Sequence, residues 1–259
     1  MKKSTLALRI VIKKSLLLYR QYYLRLVALC LGMLLLHTFS GKLARYMQHM
    51  GLYGWKLWAV GLLYVVLLLV LQLSLVRVLL RAIDQKEHRS IKDYLPEPRE
   101  LLYFFLSLLL VLGFMAGVIA AVAVLFWPLA YTDIQLNMLS SLSVLIGFLL
   151  SFLFLTRVCF YPFFIIEQGS GPMEALRWSF RVTKGNLGKL LLIVLFFAGV
   201  HLLQVYVNLI GSQLLWATFS LVNVMFVVPY GLILFTVIYR QMIAKRNLKK
   251  APGLFIKNI

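Results

Sequence analysis

Residues 101–127 read LLYFFLSLLLVLGFMAGVIAAVAVLFW and contain no charged side chain. A hydrocarbon core about 30 Å thick is crossed by roughly 20 apolar residues in a helix, so this stretch is long enough to span a bilayer. The apolar run is continuous rather than alternating, which favours a helix over a strand of a membrane barrel. The stretch therefore predicts a transmembrane helix and places the chain in the membrane class.

The composition of the whole chain points to the same class. Its 259 residues are 62% hydrophobic with a mean hydropathy of +0.91, whereas ordinary soluble domains are about 45–50% apolar. An aromatic content of 14% excludes a disordered basic tail, despite the net charge of +19. We predict an all-α, polytopic transmembrane helical bundle in which residues 1–259 form a single integral membrane domain.

Six stretches have the length and apolar character of membrane spans. They are residues 23–39, 57–80, 101–127, 138–160, 187–209 and 214–239, numbered spans one to six. In span three, Gly113, Gly117 and Ala121 form a ridge of small side chains, which predicts close packing against a neighbouring helix. In span six, Pro229 and Gly231 predict a kink.

The basic residues predict the orientation of the spans, because Lys and Arg concentrate in cytoplasmic loops. Of the 27 Lys and Arg residues, only Lys42, Arg45 and Lys56 fall on one side of the predicted spans. The other 24 surround both termini and the connections between spans two and three and spans four and five. We therefore expect both termini in the cytoplasm. The basic region before span one is too long for a signal peptide, which predicts a retained anchor.

Two basic segments predict amphipathic helices that lie in the cytoplasmic interface, with their cations toward anionic headgroups. The first, about residues 4–20, places on one face Lys2, Arg9, Lys13 and Arg20. The alternative for this segment is a simple positive-inside signal ahead of span one. The second, about residues 172–184, places on one face Glu174, Arg177, Arg181 and Lys184. Pro172 suits the first turn of that helix, and Gly185 its end.

The two basic segments also resemble each other. Ser15, Arg20 and Arg25 match Ser179, Lys184 and Lys189 at five-residue steps. Each segment leads into a span of the same direction, so the pattern of an interfacial helix followed by two spans is a candidate parallel repeat.

Residues 157–186, which contain the second segment, include a set of motif residues: Arg157, Phe160, Pro162, Glu167, Gly169, Ala175, Leu176, Ser179, Thr183, Lys184, Gly185 and Asn186. In these residues the stretch is similar to the signature of the YciC-like family of uncharacterised six-span bacterial inner-membrane proteins, and to the membrane domain of some glycerophosphodiester phosphodiesterases. The resemblance implies a multi-pass protein of the bacterial inner (cytoplasmic) membrane, and it implies no particular activity.

Two sets of residues are candidate sites. Arg157, Arg177, Arg181 and Lys184 are predicted to contact lipid headgroups. On span five, His201, Gln204 and Asn208 recur on one face and are candidates for lining a cavity, since polar side chains inside a membrane are functional candidates. The alternative for this polar stripe is hydrogen bonding between helices, with Asn223 and Gln72 as possible partners.

No pattern in the sequence predicts catalysis, a cofactor or a metal site. The four histidines lie on different segments, and no phosphate-binding Gly-Lys-Ser/Thr loop occurs. Cys30 and Cys159 fall within spans, so we expect no disulfide.

We expect anionic lipid headgroups as partners and no nucleic acid; a protein partner and a homo-oligomer stay open. The sequence favours a non-enzymatic membrane protein that organises lipids or partner proteins at the cytoplasmic leaflet. The alternative is a small permease or lipid/amphiphile transporter with a cavity near span five.

Overall fold

The computed structural model describes residues 8–50, 55–84, 94–126 and 136–250. Within those ranges the backbone is helical and contains no strand. The helices are α1 (Leu8–His49), α2 (Trp55–Ile83), α3 (Pro98–Phe126), α4 (Leu136–Val158), α5 (Tyr161–Gln168), α6 (Pro172–Thr183), α7 (Leu187–Leu209), α8 (Gln213–Val222) and α9 (Val228–Lys250). A π-helical turn, Asn223–Val227, lies between α8 and α9.

Six helical stretches are long and apolar enough to cross a membrane. They are Leu8–Met47, Trp58–Ile83, Pro98–Phe126, Leu142–Gln168, Leu187–Leu209 and Leu214–Ala244. They overlap the six predicted spans one by one, so the prediction of an all-α polytopic bundle is confirmed. The first residues of the predicted N-terminal helix (4–7) and the last residue of predicted span three (127) lie outside the described residues.

The first helix differs from the prediction of an interfacial helix over 4–20 followed by a separate span over 23–39. Helix α1 runs without a break for 42 residues, which at about 1.5 Å per residue is about 63 Å. No Pro or Gly occurs between residues 8 and 31 to end a helix there. Because a hydrocarbon core is about 30 Å thick, part of α1 extends beyond it.

Two of the spans, in contrast, are interrupted. Helix α4 ends at Val158, and the short helix α5 begins at Tyr161 with Pro162 in its first turn. Predicted span four ended at residue 160, and the sequence did not predict α5. Predicted span six comprises α8, the π-helical turn and α9, and Pro229 is the second residue of α9. The prediction of a kink at Pro229 thus coincides with a local change of helix type.

The chain groups into two compact units, unit 1 (residues 1–101 and 195–259) and unit 2 (residues 102–194). Both boundaries fall inside helices, α3 and α7, so no linker separates the units. That the whole chain is one membrane domain stays a prediction.

In unit 1, α1 packs against α2 and α9, and α2 packs against α9. Leu26, Leu73 and Ile238 are fully buried there. Two ion pairs join neighbouring helices: Arg77 Nη2 lies 2.6 Å from Glu100 Oε2, and Arg240 Nη2 lies 2.6 Å from Asp84 Oδ2. The second pair places the end of α2 beside the middle of α9, close to the predicted end of span six at residue 239.

In unit 2, α6 packs against α4 and α5. The rings of Phe114 on α3 and Phe154 on α4 stack with centroids 4.1 Å apart, and the rings of Phe104 and Tyr161 stack at 5.5 Å. Phe160, Phe164 and Ile165 are buried around the start of α5. The break in span four is therefore enclosed by side chains of its own unit.

The predicted packing ridge on span three is wrong for the part of the chain that the structure describes. A Cβ built at Gly113 or Gly117 meets no atom within 4 Å, and Ala121 is exposed. The close approach occurs instead at Gly231, where a Cβ would lie 2.8 Å from Cε1 of Phe197. The ridge was predicted from sequence spacing alone. Which glycine actually contacts a neighbouring helix depends on tertiary packing.

Candidate functional site

Helix α6 is bounded by the residues that the sequence indicated. Pro172 occupies its first turn, and Glu174 lies near the positive end of the helix. Gly185 follows with φ 92°, a left-handed conformation that favours glycine, and Asn186 N–H donates back to the Thr183 carbonyl at 3.1 Å. The observed helix, Pro172–Thr183, agrees with the predicted 172–184 to within one residue.

One face of α6 is buried in unit 2. It consists of Ala175, Leu176, Ser179, Val182 and Thr183. These positions recur every three to four residues, which is the period of a helix that packs along one side. The polar members of this face need hydrogen-bond partners, because buried hydroxyl groups without partners are costly.

Ser179 finds those partners at the break in span four. Its hydroxyl donates to the Arg157 carbonyl at 2.8 Å and accepts from Phe160 N–H at 3.2 Å. The Thr183 hydroxyl lies 3.4 Å from the same carbonyl and 3.0 Å from the Ser179 carbonyl. Arg157, Phe160, Ser179 and Thr183 all belong to the motif that carries the family resemblance. The structure therefore assigns these four positions a shared place, at the junction of α4, α5 and α6.

The opposite side of α6 is exposed and basic. We name Arg177, Arg181 and Lys184 the α6 basic face; all three are exposed. The Arg181 guanidinium carbon lies 5.2 Å from the ring centroid of Trp178, a cation–π distance. Trp178 in turn donates from Nε1 to Glu174 Oε1 at 3.3 Å. The charged groups are thus held on the surface of a helix whose other face is fixed.

Arg157 relates to α6 differently from the three other residues predicted to contact headgroups. Its side chain is half-buried in the last turn of α4. The hydrogen bonds that join Arg157 to α6 go to its backbone carbonyl rather than to its guanidinium. Arg157 therefore contributes its backbone carbonyl to the junction of α4, α5 and α6, as well as a positively charged side chain.

The three residues of the polar stripe on span five have different surroundings in the structure. Gln204 accepts from Asn223 Nδ2 at 2.7 Å and donates to Ser220 Oγ at 3.4 Å, so it bonds to span six. His201 and Asn208 are exposed. The structure thus brings Gln204 to Asn223, one of the partners considered from the sequence, and leaves cavity lining by the whole stripe a prediction.

One polar contact was not foreseen. In an α-helix the N–H of residue 229 would bond to the carbonyl of Met225, but Pro229 has no N–H. The Tyr19 hydroxyl on α1 donates to that Met225 carbonyl at 3.4 Å. The sequence indicated the proline, and hence a carbonyl without its usual donor, but it contained no signal that Tyr19 would supply one.

Within the described ranges, no group of three or more His, Cys, Asp and Glu residues is arranged to hold a metal ion. Cys30 and Cys159 are both free thiols. The described carboxylates of Asp84, Glu100 and Glu174 take part in the contacts already given, which are contacts between or within helices.

A scan against protein families, a search of curated proteins and a search of solved structures each found no match to this chain. The fold by itself defines the class: in the described part of the chain, six helices are long and apolar enough to cross a membrane, which makes this a multi-pass helical membrane protein.

Proposed function

We propose that the protein is a non-enzymatic integral protein of the bacterial inner membrane that organises anionic lipids at the cytoplasmic leaflet through the α6 basic face. The observation that carries the proposal is the division of α6 into a buried, hydrogen-bonded face and an exposed face with three cations. Basic residues at an anionic membrane surface each contribute about 1 kcal/mol of attraction.

The position of α6 in the chain supports this function. It lies between two stretches that are apolar enough to span a membrane, Leu142–Gln168 and Leu187–Leu209. Its 12 residues extend about 18 Å, which is too short to cross a hydrocarbon core. A short helix between two spans belongs at the membrane surface, where Trp178 and the basic side chains are suited to the headgroup region.

The contacts of Glu100 support a role without catalysis. Its carboxylate forms an ion pair with Arg77 and also accepts from the N–H of Glu97 at the start of α3. General acid–base chemistry requires a group within reach of a substrate, whereas this carboxylate holds the start of α3 against α2.

Lipid selectivity in reconstituted bilayers tests the proposal. The protein in nanodiscs of phosphatidylcholine and phosphatidylglycerol should enrich spin-labelled phosphatidylglycerol among the motionally restricted lipids. The triple variant Arg177→Gln, Arg181→Gln, Lys184→Gln should lose most of that enrichment. The matched control is Lys42→Gln, Arg45→Gln, Lys56→Gln, which removes the same charge from the opposite predicted side. Equal enrichment in the α6 triple variant and the parent protein would contradict the proposal.

A further inference from the structure

Unit 1 contains a largely apolar cavity with four polar side chains in its walls, which the sequence did not indicate. It has a volume of about 390 Å³ and lies between the first turns of α1, the end of α2 and the C-terminal part of α9. Its polar walls are Lys14, Asp84, Arg240 and Gln241. This volume falls within the range of about 300–1,000 Å³ that is usual for small-molecule sites. We name it the span-end cavity.

The charges around the span-end cavity favour an anion. Arg240 and Asp84 form an ion pair at 2.6 Å, with side chains 25% and 31% exposed. Lys14, which is exposed, adds a second positive charge to the same walls. Two cations facing one carboxylate leave the cavity with a net positive charge, and Lys and Arg are the usual ligands of phosphate oxygens in proteins.

Gln241 adds a requirement for a hydrogen-bond donor. Its Oε1 atom is buried and has no hydrogen-bond partner in the structure. An amide oxygen accepts hydrogen bonds and cannot donate them, so only an O–H or N–H group satisfies it. A ligand that fits both observations therefore carries an anionic group together with a hydroxyl or ammonium group.

The place of the cavity at the end of the spans indicates a lipid. Helix α2 ends at Ile83, and the apolar stretch of span six ends at Ala244; both residues line the cavity. Polar headgroups lie at the depth where spans end. The other walls include Ile10, Val11 and Val237, which are apolar and suited to a glycerol backbone and the first methylene groups of its chains.

We propose that the span-end cavity binds the headgroup of one glycerophospholipid, with the phosphodiester near Lys14 and Arg240 and a headgroup hydroxyl or ammonium at Gln241 Oε1. This site goes beyond the proposed function: it lies in unit 1, contains no residue of the α6 basic face and binds one lipid rather than enriching many. Phosphatidylglycerol and phosphatidylethanolamine carry both features, whereas the choline of phosphatidylcholine has no O–H or N–H.

Native mass spectrometry of the purified full-length protein in detergent tests the proposal, with phosphatidylglycerol, phosphatidylethanolamine and phosphatidylcholine as separate probes. Phosphatidylglycerol should form a one-to-one complex about tenfold or more tighter than that of phosphatidylcholine, since phosphatidylcholine would leave the buried Gln241 Oε1 without a donor, a penalty of about that size. The variants Lys14→Gln and Gln241→Leu should each weaken the phosphatidylglycerol complex by a similar factor.

Arg25→Gln is the matched control, because Arg25 is an exposed cation on the same helix, α1, and does not line the cavity. It should leave the one-to-one complex unchanged. Equal phosphatidylglycerol binding in the parent protein, Lys14→Gln and Gln241→Leu would overturn the proposal. Glycerol phosphate provides a second arm: if it bound as tightly as phosphatidylglycerol, the site would accept a free phosphate ester, and the assignment to a lipid would be wrong.

These measurements can contradict either of the two lipid proposals without contradicting the other. The α6 triple variant retains Lys14 and Gln241, so it should keep the tight one-to-one complex in detergent while losing enrichment in nanodiscs. Gln241→Leu should do the reverse. A thermal unfolding curve for each variant verifies that the protein is folded, and Gln241→Leu removes a buried amide oxygen without a partner, so it should not lower the transition temperature.

Discussion

The break in span four and the break in span six are both supported by a hydroxyl group from another helix, but to different extents. At the break in span four, the buried Ser179 hydroxyl makes two hydrogen bonds to backbone groups, at 2.8 and 3.2 Å. At the break in span six, the half-buried Tyr19 hydroxyl makes one, to the Met225 carbonyl at 3.4 Å.

The difference follows from how each helix is interrupted. Between α4 and α5 the helix stops, which leaves a carbonyl and an N–H without helical partners. Phe160, whose N–H is one of them, is fully buried, so a side chain of α6 and not water must satisfy it. In span six the π-helical turn keeps the backbone bonded through the break; for example, Val228 N–H bonds to the Asn223 carbonyl. We therefore expect the break in span four to depend more strongly on its hydroxyl group than the break in span six.

Ser179→Ala should cause the largest loss of stability. It removes the shorter of the two hydroxyl contacts to the Arg157 carbonyl, leaving that of Thr183 at 3.4 Å, and it removes the acceptor of Phe160 N–H; an unsatisfied buried group costs about 1–3 kcal/mol. The free energy of unfolding, measured by steric trapping in bicelles, should fall by an amount near the top of that range.

Ser15→Ala is the control, because the sequence matched Ser15 to Ser179 in the candidate repeat. Ser15 is fully buried, and its hydroxyl has no hydrogen-bond partner. Its removal should be neutral or stabilising by about 1 kcal/mol. Equal losses in the two variants would show that Ser179 acts through packing rather than through the junction.

Gly231→Ala should cause the next largest loss. The new Cβ would lie 2.8 Å from Cε1 and 2.9 Å from Cζ of Phe197, so the ring must move, and overpacking of this kind costs about 2 kcal/mol. Gly113→Ala is the control, since a Cβ there meets no atom within 4 Å. It should stabilise the helix by about 0.5–1 kcal/mol. If Gly113→Ala instead lowered the free energy of unfolding, that result would support the packing ridge predicted on span three.

The sequence predicted the elements that depend on local signals. The spans follow from hydropathy and length, and the bounds of α6 follow from Pro172, which fixes its own φ, and from Gly185, which permits the positive φ after the helix. It did not predict that α1 is continuous through residues 20–23, because the charge pattern there indicated a change of environment and not a change of backbone.

The candidate site was predictable in its residues but not in their partners. The motif contained Arg157, Phe160 and Ser179, yet nothing in their spacing showed that the hydroxyl of one would join the backbone of the other two. The polar stripe indicated Gln204, while its bond to Asn223 required the packing of two spans. The span-end cavity combines residues from three distant segments, so no local pattern could reveal it.

Tyr19→Phe should cause a smaller loss than the two changes above. It removes the hydroxyl that donates to the Met225 carbonyl and keeps the ring contacts with Tyr23 and Tyr230, so we expect a cost of about 1 kcal/mol. Tyr23→Phe, in the same aromatic cluster, is the control for the loss of a hydroxyl. If Tyr19→Phe were as destabilising as Ser179→Ala, the π-helical turn would not be compensating for Pro229.

Asn223→Leu should have the smallest effect. It removes the hydrogen bond from Nδ2 to Gln204 Oε1 at 2.7 Å, but it leaves the backbone bond from Val228 N–H to the Asn223 carbonyl in place. Hydrogen bonds between side chains of membrane helices average about 0.6 kcal/mol, so the free energy of unfolding should fall by roughly that amount. His201→Leu, which replaces an exposed polar side chain on α7, is the control and should not lower stability. A loss at Asn223 as large as that at Ser179 would mean that side chains, and not the π-helical backbone, hold the break in span six.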